Sequence, residues 1–282
     1  MNDNKPSPIA LAERPAAPTW WQATGAVLRL SGFSMLRGRR GLLLALLMLT
    51  PLVPAGVSLA FRHGHRGTEG FINIVMVGYL SVLLPLAFLF LGCAAVGDEV
   101  EGRTITYLLI RPIPRATILA GRFASYLMCS VVLIVPSVVL VFLLSMSQFS
   151  LATIIDRLPL LGEVVLVLLL AAFAYGAFFL FLSVLVPWPV LIGIALTFGY
   201  EAIWIRVAPG SMKLLSFVYH LHTVAYHLTG EAGFISATVA RALFGEAEDP
   251  ALGPSLRVLI LAPLVFLLLA WARFRRKEFA FN

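Results

Sequence analysis

GDEVEGRTITYLLIRPIPRATILAGR, residues 97–122, is a polar interruption in a chain of 282 residues that is otherwise 60% apolar and only 12% charged. The runs on either side, residues 71–96 and 123–146, contain no Asp, Glu, Lys, Arg or His. A helix rises about 1.5 Å per residue, so about 20 apolar residues cross a bilayer core of about 30 Å, and unpaired backbone groups there are costly. Both runs are therefore read as membrane spans. Working outward, four further stretches meet the same standard, near 41–61, 163–186, 188–205 and 256–272. Pro187, Trp188 and Pro189 make the fourth and fifth a tight hairpin. The expected fold is an all-α polytopic membrane protein with six transmembrane helices.

Lys and Arg concentrate on the cytoplasmic side of such proteins. With both termini and residues 97–122 on that side, it receives 14 of the 21 basic residues, and the other side receives 8 of the 14 acids. The net charge of +7 follows from this bias. With no basic soluble domain, it does not point to nucleic acid. Residues 1–18 are polar and proline-rich, unlike a secretory signal, and read as a cytoplasmic tail. Residues 19–40 interleave Trp20, Trp21, Leu28 and Phe33 with Arg29, Arg37, Arg39 and Arg40, which suits an amphipathic helix in contact with membrane lipid at the cytoplasmic leaflet. Residues 41–272 form one transmembrane domain and 273–282 a cytoplasmic C-terminal tail. Cys93 and Cys129 fall inside spans without metal-ligand spacing and read as packing residues.

Within the polar segment, Asp98, Glu99 and Glu101 close the second span, Gly102 redirects the chain, and Thr104 can cap a short helix over 105–110. Ile105, Leu108 and Leu109 share its apolar face, and Pro112 with Pro114 ends it. A helical pattern restarts at Arg115 and feeds the third span. A force on such a surface helix is delivered to both spans that hold it.

The order Glu99, Glu101, Gly102, Thr104, Leu108, Leu109, Pro112 and Arg115, followed by Gly121 and Arg122, resembles the coupling segment of ABC-2 type transporter permeases, here with Arg103 between the Gly and the Thr. The six-span plan and the N-terminal helix, which sits where that family has its elbow helix, extend the resemblance over most of the chain. It implies a homodimer of this chain in a cell membrane, the bacterial inner membrane, with two copies of a separate ABC ATPase. ATP and Mg would be bound by that partner, with no cofactor in this chain. Export of a lipophilic or amphipathic substrate is the implied activity.

The energetics point the same way. Ion-coupled carriers place charged groups near mid-membrane, whereas here Glu163 and Glu201 lie toward the outer ends of their spans and nothing charged lies deeper. A phosphate-binding Gly-x-x-x-x-Gly-Lys-Ser/Thr motif is also absent from the sequence, so the energy source belongs to a partner. Glu201 reads as a headgroup-level acid near Arg206. If it lines a pathway, it favours cationic or hydrogen-bonding cargo. Phe173, Phe178, Phe179 and Phe181 are packing or lipid-facing residues that select no cargo.

The segment between the last two spans suggests an amphipathic helix over 214–228 lying in or dipping into the outer leaflet and another over 234–244, which resemble the short re-entrant helices of such exporters. His220, His222 and His227 lie in the first, with His63 and His65 on the same side of the membrane, but no pair has the i, i+4 spacing of a shared metal. They read as headgroup-level polar residues. Two other classes were weighed. An intramembrane metalloprotease could use acids such as Asp98 and Glu99 with His65, but the topology puts His65 on the opposite side. An ATPase-coupled scaffold acting on a partner protein, without transport, would carry the same lever. The chain itself is expected to be non-catalytic.

Overall fold

The computed structural model describes residues 25, 28, 32, 39–60, 67–101, 115–201, 216–229 and 252–276. Five helices among them are long and apolar enough to cross a membrane: Gly41–Leu59, Gly67–Ala94, Ala116–Met146, Leu158–Leu185 and Leu252–Arg275. The protein is an all-helical, multi-pass membrane protein.

Each span begins or bends for a local reason. The first is two helices, α1 (Arg39–Leu49) and α2 (Leu52–Ala60), because Pro51 has no N–H and its ring crowds the carbonyl of Leu47. That carbonyl is satisfied instead by the Thr50 backbone N–H at 3.1 Å and the Thr50 hydroxyl at 2.7 Å. The second runs through α3 (Gly67–Asn73), a π-helical segment π1 (Ile74–Leu83) and α4 (Leu84–Glu101) without leaving helical backbone. In π1 the ladder reaches five residues back, as when the Leu84 N–H bonds the Tyr79 carbonyl. The third span is α5 (Arg115–Met146), which starts at the arginine the sequence pattern indicated and carries Pro136 in its interior.

A short helix α6 (Leu151–Asp156), capped by the Ser150 hydroxyl, leads to α7 (Leu158–Leu185), the fourth span. Val186 turns extended and Pro189 opens α8 (Pro189–Ile194), as expected for proline in a first helical turn. The chain reverses sharply here, and Gly193 lies against Leu89 and Leu182. A second π-helical segment, π2 (Ala195–Glu201), follows. Pro189–Gly199 is a shorter apolar helix than a span, and residues 202–205 of the expected fifth span lie outside the described residues. The last two elements are α9 (Phe217–Leu228) and α10 (Leu252–Arg276), which forms the last span.

The packing centre is α7, which touches α4, α5, α9 and α10. Small residues permit its closest approaches. A Cβ on Gly92 of α4 would stand 2.8 Å from the Cβ of Phe179, and one on Gly176 would stand 2.0 Å from the Tyr126 ring. The Tyr126 hydroxyl, buried against α7, donates to the Ala172 carbonyl at 2.8 Å. Around it, Phe88, Phe123 and Tyr175 build an aromatic core with ring centroids 5.9–6.3 Å apart. The phenylalanines read as packing residues do pack: Phe173 against Phe123, Phe178 and Phe181 against Phe266, and Phe179 against Tyr175. Leu42, Leu43, Leu46, Leu261 and Leu268 project outward, as a surface solvated by lipid tails allows.

Candidate functional site

The uncharged apolar run of the second span ends at Val96, but its helix continues to Glu101, which adds roughly 7 Å of helix beyond that run. At the same end of the bundle α5 begins at Arg115, and Thr117, Ile118 and Leu119 in its first turns are already buried. Both helices pack on α7 and on each other. Residues 102–114 therefore connect two stiff, mutually braced helices. Of the residues singled out in the sequence, Glu99, Glu101 and Arg115 lie in these helices by backbone, while Gly102, Thr104, Leu108, Leu109 and Pro112 lie outside the described residues. The short helix expected over 105–110 lies outside them too. Glu201 closes π2, and its expected neighbour Arg206 is outside the described residues.

Polar contacts inside the bundle were not anticipated. The Ser137 hydroxyl of α5 donates to the Met48 carbonyl of α1, which leaves the Tyr79 hydroxyl of π1 to donate to Ser137. All three residues are buried. This relay joins the first three spans at a point where α1 is about to break at Pro51. Nearer the start of α5, the Ser125 hydroxyl, which donates to the Gly121 carbonyl at 2.8 Å, also lies 3.2 Å from the Leu28 carbonyl, and the Cys129 thiol reaches the Gly32 carbonyl at 3.6 Å. The partners advance together, so this part of the 19–40 segment runs parallel to α5. Gly25, Leu28 and Gly32 are helical, as expected, but Gly32 is buried against the third span.

At the other end of the second span lies α9. A helix was expected over 214–228 and one is present over Phe217–Leu228, capped by the Ser216 hydroxyl, and it packs among the spans. Phe217 at its start meets Tyr175 and Phe266, each about halfway along its helix. His220 and His222 are buried, and His227 alone of the three is exposed. The headgroup-level reading of the histidines thus fails for two of them, because helical spacing puts them on the faces α9 turns to its neighbours. His220 Nδ1 lies 3.0 Å from the Ser255 hydroxyl of α10. His222 Nδ1 lies 2.8 Å from the Val218 carbonyl, and its Nε2 lies 3.0 Å from the Met76 carbonyl of π1. Burial holds the His222 imidazole below its ordinary pKa, and the two carbonyls oppose that shift.

Among the described residues, no three His, Cys, Asp or Glu side chains come together as a metal-holding group. His63 and His65 lie outside them. The relay and the histidine contacts left little trace in the sequence: serines and histidines inside apolar runs were the one available signal, and they do not name their partners. A family model described as a protein of unknown function, DUF2705, matches residues 46–280. No curated protein matches the chain.

Proposed function

We propose that this chain, which belongs to the DUF2705 family, is the membrane permease subunit of an ATP-driven exporter of a lipophilic or amphipathic substrate, powered by a separate ABC ATPase. The observation that carries the reading is the continuation of the second span as helix past Val96 to Glu101, with α5 starting at Arg115. A surface segment held between these helices cannot be displaced without tilting both, because each is braced on α7. Two copies of the chain would flank a pathway, each engaged by one ATPase through residues 97–122.

Three further features support it. Charge in the described spans is confined to their ends, with Glu69, Arg122, Glu163, Arg257, Arg273 and Arg275 the charged residues there, so these spans offer no mid-membrane charge for ion coupling. The order of residues from Glu99 to Arg115 is that of a coupling segment. The α9 helix, which begins at mid-depth, suits a re-entrant roof over a pathway. In the cycle, nucleotide-driven closure of the ATPases pushes the 104–110 region, the second and third spans tilt, and substrate leaves on the side opposite the ATPase.

The test is purification of the full chain from its native membrane in mild detergent. An ABC ATPase should co-purify in equal number and hydrolyse ATP, and Glu99→Ala, Glu101→Ala or Arg115→Ala should weaken assembly or uncouple hydrolysis from transport. A chain that purifies with no nucleotide-hydrolysing subunit would overturn the proposal. Hydrolysis coupled to a conformational change in a bound partner protein, without substrate movement, would favour the scaffold alternative.

A further inference from the structure

We propose that His222 is a positioning residue that ties α9 to the π-helical segment of the second span, so that the two move as one body when that span tilts. The proposal rests on the export reading for the source of the motion, but the tie itself is a matter of local geometry.

The second span receives force at its Glu101 end, whereas α9 lies at the opposite end, against π1. The contact that crosses between them is from His222 Nε2 to the Met76 carbonyl, 3.0 Å, with the Ser81 hydroxyl 3.5 Å away; the neutral ring carries one N–H, and the tie is the tautomer that places it on Nε2, donating to Met76 rather than from Nδ1 to Val218. Met76 also accepts from the Ser81 hydroxyl at 3.0 Å, so its carbonyl uses two acceptor directions within the π segment. His222 is fully buried, and no water competes for the bond.

A second polar link of α9 goes elsewhere and is softer. His220 meets Ser255, a hydroxyl that rotates about its own side chain and lies in the first turn of α10. Met76 offers a main-chain carbonyl that turns only when the helix turns. If the second span tilts, the His220 contact can re-form over a range of positions, but the His222 contact must either carry α9 along or break. A break would leave the buried Nε2–H of His222 without its carbonyl partner, while Met76 keeps Ser81, and an unpaired buried donor is the costlier outcome. The π geometry adds to this, because such segments are sites where a helix departs from the regular ladder and rearranges.

Two conservative variants separate the contacts of the ring. A Gln side chain places its amide nitrogen about where Nε2 stands, and an Asn side chain places it about where Nδ1 stands. His222→Gln therefore keeps the bond to Met76, while the shorter Asn side chain reaches only the Val218 carbonyl. The experiment is amide hydrogen–deuterium exchange on the full chain in lipid nanodiscs. Exchange over residues 74–83 should stay near wild type in His222→Gln and rise about tenfold in His222→Asn, the factor expected for one net hydrogen bond. Equal behaviour of the two variants would overturn the tie.

A second arm adds the co-purified ATPase and ATP. In wild type and His222→Gln, residues 74–83 and 217–228 should change exchange together, and in His222→Asn the change should be confined to 74–83. A joint change that persists in His222→Asn would overturn the joint motion. Absence of any nucleotide effect on wild type would overturn the export reading instead, and the tie would stand or fall on the Gln and Asn comparison alone.

Discussion

Ser137→Ala should cost more stability than any other single hydroxyl deletion in the bundle, and the reason lies in the order of its hydrogen bonds. Ser137 donates to the Met48 carbonyl and accepts from the Tyr79 hydroxyl, so its removal strands two buried groups at once. A buried group left without a partner costs about 1–3 kcal/mol, which puts the loss at roughly 2–4 kcal/mol once partial relaxation is allowed. Average interhelical hydrogen bonds in membranes are worth only about 0.6 kcal/mol, because other partners are found nearby. Here Met48, Tyr79 and Ser137 are each at most 3% exposed, which leaves little room for a substitute. Tyr79→Phe removes one donor but leaves Ser137 bonded to Met48, so its cost should be about 1 kcal/mol. The sign reverses in the combined variant: with Ser137 already Ala, Tyr79→Phe removes a stranded hydroxyl and should be neutral or stabilising. Equilibrium unfolding in mixed detergent micelles measures all four proteins. Additive costs, with the double variant the least stable, would refute the relay.

Other outcomes follow from the same packing and from the lever. Gly176→Ala sets a methyl group 2.0 Å from a Tyr126 ring that is held by the Ala172 carbonyl, so about 1–3 kcal/mol should be lost, visible as a lower thermal midpoint, and an unchanged midpoint would refute that close approach. Because burial favours neutral His222, protons favour the unfolded chain once pH falls below the ordinary histidine value of about 6.5. Stability should therefore fall with acid, and His222→Gln should flatten that limb of a pH–stability profile. Glu201→Gln should lower transport of cationic amphiphiles if Glu201 lines the pathway, and unchanged rates in proteoliposomes would remove it from that role. Zinc or copper titrated into the purified protein should give no heat of specific binding at the three α9 histidines, because two of them are committed to separate partners.

Five of the six expected spans were legible because hydrocarbon enforces unbroken apolar runs, and the restart at Arg115 was legible because Pro112 and Pro114 mark the break before it. The faces of those helices were not. A lipid-facing leucine and a core leucine are equally apolar, so Leu42 and Leu44 look alike in sequence although one is exposed and the other buried. The same limit hid the Tyr79, Ser137 and Met48 relay, whose geometry depends on how three helices meet. It also left the packing of α9 open: an amphipathic pattern suits a helix on a membrane surface and one among other helices equally well, and the contacts of Phe217, His220 and His222 show its neighbours. Residues 97–101 and 115–122 lie in helices as read, while the centre of the segment, 102–114, lies outside the described residues.

The central claim is that residues 97–122 are where an ATPase pushes, and a photo-crosslinking amino acid at Leu108 of the full chain tests it most directly. Activated in native membranes, it should join the chain to a protein carrying an ATP-binding phosphate loop, while the same group at Phe149, at the other end of α5, should not. Capture of no such ATPase from Leu108, or equal capture from Phe149, would contradict the account.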